Sequence, residues 1–250
     1  MQYIERTRYR VPAKGTQVIG RFLAGFWGWL KPLDEEAIDG AAPFARYLDH
    51  HAAFVTQRTV AGYVQMKTRI HLHEMLKEKM FREAYERCRW TSYAAVLGDL
   101  GIIAEGYVRP HLAEGSADPA MRGLERVHGQ VLAGAKTPPE LGLSWQSTQA
   151  SFEARLARAR VAPPVTAGEV ARAGAKVLFE SLPIHADLRS LDEPAFVDGV
   201  RFIMVSATEP LRRLLKAEAL AADLARLGAS DPAAPRPSPD GTGPAISAGR

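Results

Sequence analysis

The sequence predicts an all-α fold: an irregular multi-helix bundle preceded by a basic amphipathic N-terminal arm and followed by a disordered C-terminal tail. Three observations carry this. Between Pro43 and Pro110 there is no proline, and this 66-residue interval is dominated by Ala, Leu, Met, Glu, Lys, Arg and Gln, the residues that favour helix interiors. Later segments open with helix-start chemistry, and β-branched runs such as Arg201–Val205 are flanked by helix starts, not by hairpin turns. Residues 229–250 hold five prolines with Ala, Ser and Gly and almost no large apolar side chains, a composition that cannot offset the entropy of ordering.

Taken in order, helices are expected near 17–30, 44–68, 69–89, 91–108, 119–134, 145–160, 167–181, 194–207 and 209–227. Gly98, Gly101 and Gly106 mark a break towards the end of the proline-free stretch. Asp118 before Pro119 reads as a cap followed by a first-turn proline, as do Asp192 before Pro194 and Thr208 before Pro210. Thr166 and Glu169 have the spacing of a capping box, with Val165 and Val170 placed as a hydrophobic staple. Gly228 is placed to end the last helix. The reading divides the chain into an arm (1–31), a helical domain (32–228) and a tail (229–250).

The 250 residues carry a net charge of +4, unevenly placed. Arg6, Arg8, Arg10, Lys14, Arg21 and Lys31 against Glu5 give the first 31 residues +5, which leaves −1 for the other 219. A near-neutral body with a basic arm points the arm at anionic surfaces and disfavours a uniformly basic nucleic-acid-binding domain. No apolar run reaches the roughly 18 residues of a membrane-spanning helix. Val18–Leu30 is broken by Arg21 and lacks a signal-type cleavage site, and an arm without serine makes a poor transit peptide. The single cysteine, Cys88, cannot form an internal disulfide or a cysteine-based zinc site and fits a reducing, cytoplasmic compartment.

Within the arm, residues 18–31 wind into an amphipathic segment. At about 100° per residue, Phe22, Phe26, Trp27, Trp29 and Leu30 share one half of the circle, with Arg21, Lys31 and small residues on the other. Tryptophan suits a membrane interface, and cations add attraction to anionic lipid. Arg21, Phe22, Phe26, Trp27, Trp29, Leu30 and Lys31 are therefore the candidate membrane- or partner-binding residues. A helix packed on the domain core is the alternative.

The other candidates lie in the body. Lys67, His71, Glu74 and Glu78 fall on one face of the expected helix, and Glu125 and His128 form an E-x-x-H with His128 inside the stripe of Met121, Leu124, Val131 and Leu132. Di-iron bundles need two E-x-x-H motifs. Only one is present, so no metal and no cofactor is expected, with His71, Glu74, Glu78, Glu125 and His128 the weak candidates. Asp49-His50-His51 reads as a surface cluster on a helix, and His73 as pointing away from His71. Cys88 lies between Arg87 and Arg89, which would lower a thiol pKa, but reads as structural. Tyr93–Ile102 has a faint helix-turn-helix look without the Arg, Lys, Asn or Gln that reads bases. Walker, G-x-G-x-x-G, G-x-S-x-G, H-E-x-x-H and C-x-x-C motifs are absent.

These features point to a helical binding, scaffold or assembly protein that contacts a protein partner, another copy of itself or an anionic membrane surface through its arm, with a peripheral place at the inner face of a membrane. A helical-bundle enzyme with a His/Glu metal or acid–base site is the alternative. A nucleic-acid-associated regulator comes third.

Overall fold

The computed structural model describes residues 36–230. The basic arm, with Arg21, Phe22, Phe26, Trp27, Trp29, Leu30 and Lys31, and residues 231–250 of the tail lie outside the described residues. The described chain is built from helices: α1 (Ala41–Thr68), α2 (Leu72–Met75), α3 (Lys79–Val108), α4 (Ala117–Gly134), α5 (Trp145–Val161), α6 (Ala167–Ser181), α7 (Ala186–Arg189), α8 (Glu193–Leu214) and α9 (Ala217–Ala229). Short 3₁₀ turns at Arg109–His111 and Pro139–Leu141 complete it. The fold class is the one the sequence predicts: all-α, with no strand among the described residues.

Helix α3 forms the axis. Its neighbours α1, α4, α5 and α6 pack around it, so residues 92–105 are buried on almost every side. A helix enclosed this way loses the one-sided polar pattern of a surface helix. The sequence expectation of two helices, 69–89 and 91–108, is overturned here. The chain breaks at 69–78, where Arg69 takes φ 58 and ends α1, and then runs unbroken from Lys79 to Val108. Gly98 and Gly101 are not breakers but contact sites. A Cβ on Gly101 would stand 2.8 Å from the Phe152 ring, so glycine lets α5 approach the axis.

A second correction concerns the C-terminal helices. The break expected at Thr208 does not occur: α8 continues through Pro210 to Leu214. Proline removes one hydrogen bond, to the Ser206 carbonyl, yet Ala207, Thr208 and Leu211 are buried in the core and hold the helix on course. Thr208 donates to the Val205 carbonyl at 2.9 Å and caps nothing. Asp192 occupies the N-cap position of α8 without capping it; it accepts from Tyr63 Oη and Lys67 Nζ, both at 2.6 Å. Asp118 lies inside the first turn of α4, whose N-cap is Ser116, and pairs with Arg160. Thr166 caps α6 as expected, accepting from Glu169 N. The partner half of the box and the staple are absent: Glu169 turns its carboxylate to Arg201 at 3.2 Å, and Val165 is exposed.

The ends are tied by backbone. Ile38 N donates to Leu214 O and Lys216 N to Ile38 O, both at 3.0 Å, an isolated parallel bridge. Asp223 of α9 accepts from Ala41 N at 2.8 Å and so satisfies the start of α1 from across the fold. Gly228 does not end α9, which runs on to Ala229. Its role is contact: a Cβ there would lie 1.8 Å from Pro119 O, and one on Gly123 would lie 2.0 Å from Leu224 O. Helices α4 and α9 thus meet backbone to backbone. Arg122 and Arg126 of α4 then donate to the Gly228 and Leu227 carbonyls at 3.2 and 2.6 Å, closing orphan acceptors at the α9 C-terminus.

Candidate functional site

The sequence-derived candidates do not assemble into one site. His71 precedes the four-residue α2, Glu74 lies within it, and Glu78 is the N-cap of α3, so the three share no helix face. Glu74 is paired with His73 at 2.8 Å and Lys77 at 2.6 Å, and the Lys77 hydrogen bond draws its carboxyl below the usual range. His73 does not point away from His71; with His71 extended at the N-cap of α2 and His73 in its first turn, their rings stack at 5.7 Å. Among the described residues no three His, Cys, Asp or Glu side chains cluster as a metal site.

Other expectations also shift. Residues 93–102 contain no turn; they are continuous α3, and Tyr93 Oη donates to Asp49 at 2.5 Å, which removes the helix-turn-helix reading of that segment. His51 is not a surface residue. It is 8% exposed, packed against Tyr47 with ring centroids 4.4 Å apart and planes tilted by 45°, and burial pushes its pKa down to about 4. Cys88 is buried, and burial pushes its thiol up against the opposing hydrogen bonds of Ser181 and Ser92. Its flanking arginines are engaged elsewhere, Arg87 on the Leu141 carbonyl at 2.9 Å and Arg89 on Glu86 at 3.1 Å.

His128 is the exception. As expected, it lies in the apolar stripe of α4, with Met121, Leu124, Val131 and Leu132 all buried. Its ring is fully buried and stacks on Phe152 of α5 with centroids 3.9 Å apart and planes 11° apart. Glu125 does not reach it through its carboxylate; the Glu125 backbone carbonyl accepts from Gln149 Nε2 at 3.0 Å.

Gln149 determines what His128 is. Its amide nitrogen donates to the Glu125 carbonyl and, at 2.9 Å, to Glu153 Oε1. Its oxygen therefore faces His128 Nδ1, 2.7 Å away. An amide oxygen only accepts, so Nδ1 carries the proton. Burial pushes the imidazole pKa down to about 4, with Gln149 opposing and Arg155 assisting, so the ring is neutral at physiological pH. Nε2 is then a bare acceptor, and it is buried with no hydrogen-bond partner among the described residues. Leaving such a group unsatisfied costs about 1–3 kcal/mol.

His128 is one wall residue of a cleft, although its Nε2 is itself buried. Helices α3, α5 and α6 and the Gly142–Ser144 link enclose a space of about 460 Å³, with Gly98, Trp145, Phe152, Arg155 and Val177 on its walls and a rim of Ser and Thr hydroxyls. Arg155 donates from Nη2 to Asp99 of α3, which is 1% exposed and does not itself line the cleft. Burial pushes the Asp99 carboxyl up to about 6 although Arg155 pulls it down. Gly174 of α6 makes room for that carboxylate, since a Cβ there would fall 2.1 Å from Asp99 Oδ2. Gly98 faces the acceptor: a Cβ on it would stand 4.0 Å from His128 Nε2 and 3.4 Å from Arg155 Nη1. Of these groups the sequence reading singled out His128 and Gly98 alone. Gln149, Asp99 and Arg155 come from other elements and carry no motif.

Surfaces outside the cleft are less organised. A groove of about 530 Å³ beside Tyr107, His111, Arg212 and Lys216 is open, and Met66, Ile70 and Met80 stand exposed around the α1–α3 elbow. No helix among the described residues is long and apolar enough to cross a membrane. No family model matches the chain, and neither the curated proteins nor the solved structures contain a match to it.

Proposed function

We propose that this chain is a helical binding protein. Its bundle holds a small, mostly apolar ligand in the cleft between α3, α5 and α6, and its N-terminal arm brings the bundle to a protein partner or an anionic membrane surface. The observation that carries the ligand half is the buried, unpartnered Nε2 of His128 at the end of a cleft walled by Trp145, Phe152 and Val177. Binding sites are commonly apolar concavities with a few placed polar groups. What supports the arm half is charge and pattern: +5 in 31 residues, with Phe22, Phe26, Trp27, Trp29 and Leu30 on one arc opposite Arg21 and Lys31.

The second reading is a helical-bundle enzyme using His128 in acid–base chemistry, favoured by the way Gln149 orients the ring. A base works best with a pKa near the working pH; an imidazole pushed down to about 4 is a weak base at neutrality. Binding is the better use of this nitrogen.

Co-sedimentation of the full chain with vesicles of anionic and of neutral phospholipid, at two salt concentrations, tests the arm. Wild type should pellet with anionic vesicles and release at high salt, and the Trp27→Ala/Trp29→Ala variant should stay in solution with an unchanged melting temperature. A variant that melts much lower, beside a wild type that ignores vesicles, would contradict the membrane half.

A further inference from the structure

We infer that the outward face of α8 is a self-association surface, on which a second copy of this chain lays its own α8 antiparallel about a two-fold axis at Phe202. The inference is independent of the ligand and membrane readings above. Helix α8 buries Phe196, Val197, Val200, Met204, Ala207 and Leu211 on the bundle. The opposite line of a surface helix is ordinarily polar. Here its centre is Phe202, 74% exposed, with Val205 beside it at 51%. At about 100° per residue, Ala195, Phe202, Glu209 and Arg213 lie within about 20° of one line, with Asp198 and Ser206 about 40° to either side. All six are exposed. An aromatic side chain at the centre of a patch with polar residues around it is the make-up of a protein interface. The edge of the patch is fixed in place: Arg201 donates to the Gly168 carbonyl of α6 and to Asp198, both at 2.9 Å.

Charge selects the occupant. Among residues 193–203 the charged side chains are Glu193, Asp198 and Arg201, a net of −1; among 204–214 they are Glu209, Arg212 and Arg213, a net of +1. A face with oppositely charged ends is complementary to itself turned end for end. About an axis at Phe202, Glu193 stands nine residues before the centre, and Arg212 and Arg213 stand ten and eleven after it. Glu193 of one copy therefore meets Arg212 and Arg213 of the other, and the reciprocal contact forms at the far end, as an isologous interface requires. The two Phe202 rings meet at the axis. A parallel pairing would set Glu193 on Glu193 and Arg212 on Arg212. The face as a whole is neutral, which gives an anionic lipid surface nothing to select. At 22 residues the helix is ~33 Å long. Two such faces cover an area at the small end of specific interfaces, so the dimer is reversible and depends on concentration.

Sedimentation velocity of the full chain over a concentration series, in lipid-free buffer, tests this beside thermal melts at a concentration where the chain is monomeric. Wild type should pass from monomer to dimer. Phe202→Glu puts two carboxylates on the axis and should leave only monomer, with the melting temperature of wild type, since the ring is not buried. Glu193→Arg and Arg212→Glu test the ends. Because the two-fold repeats each contact, either reversal alone should weaken the dimer about tenfold. The two together should restore it to within about threefold of wild type. A wild type that stays monomeric at every concentration overturns the proposal; if Phe202→Glu then also stops pelleting with anionic vesicles, the face belongs to lipid. A dimer that survives Phe202→Glu is formed elsewhere and overturns it too. A double reversal no tighter than the single ones overturns the antiparallel arrangement.

Discussion

Gly123→Ala, in the contact between α4 and α9, is the substitution whose outcome the structure determines most narrowly. On an isolated helix it would be favourable, by about 1 kcal/mol of helix propensity. Here the new Cβ would lie 2.0 Å from Leu224 O, while carbon–oxygen contacts between packed backbones settle near ~3.3 Å. The helices must therefore part by roughly 1.3 Å, since backbone has no rotamer with which to yield. Overpacking of this kind costs about 1–3 kcal/mol, occasionally more. Parting the helices also lengthens the Arg122 and Arg126 hydrogen bonds to the end of α9, which puts the cost at or above the top of that range. After the propensity gain, the net loss is about 2 kcal/mol, a fall in melting temperature of ~4–8 °C for a domain of this size. Gly228→Ala, with its Cβ 1.8 Å from Pro119 O, should behave alike. Gly199→Ala, in α8 with nothing within 4 Å, should instead raise the melting temperature by ~2–4 °C. Calorimetry or urea melts of the three variants give the comparison. A Gly123→Ala protein that melts with or above wild type would refute the backbone contact between α4 and α9.

Stability should fall on acidification from pH 6.5 to 4. His51 and His128 are held at about 4 when folded against 6.5 ordinarily; the unfolded chain takes up protons in that window that the folded chain refuses, so the stabilisation present above 6.5 is lost as pH drops. Asp99 acts in the opposite sense. Its folded carboxyl binds a proton near pH 6 against 3.8 ordinarily, but one carboxyl against two imidazoles leaves a net loss, and His51→Phe, which keeps a ring against Tyr47, should flatten the slope in urea titrations at pH 7 and 4.5. An unchanged slope would show that His51 titrates normally. Cys88, buried with its thiol pushed up, should react with a thiol-specific reagent only as fast as the protein opens, so labelling should speed up with urea in step with unfolding; fast labelling in native buffer would contradict its burial.

What could be read from the residues alone follows physical lines. The absence of proline from 44–109 and the cap at Thr166 are local signals, and both point to the helices the structure holds. The errors arise where a local signal has a tertiary cause. Gly98 and Gly101 read as breaks because glycine weakens helices, yet they admit Arg155 and Phe152 to the axis. Pro210 reads as a start, yet the buried Ala207, Thr208 and Leu211 carry α8 across it. Residues 69–78 have helical composition, and the left-handed Arg69 that interrupts them has no sequence mark. The site is split in the same way. His128 was visible because it interrupts an apolar stripe of period 3.6. Gln149, which sets its tautomer, and the Arg155–Asp99 pair beside the cleft lie on α5 and α3 at separations no periodicity encodes. Glu125 fitted a motif by spacing, but contributes only its backbone carbonyl.

The bare acceptor at the end of the cleft is the feature on which the ligand reading depends, and the imidazole nitrogens report it directly. Long-range ¹H–¹⁵N correlation of the histidine rings in the ligand-free full chain at pH 7 should show His128 with its proton on Nδ1 and none on Nε2. The same signals should stay put as pH is lowered until near the pKa of about 4 set by its burial. A proton on Nε2, or a ring that titrates near the ordinary 6.5, would contradict the account, because Nε2 would then be a donor or a charged group and not the acceptor that the Gln149 hydrogen bond requires.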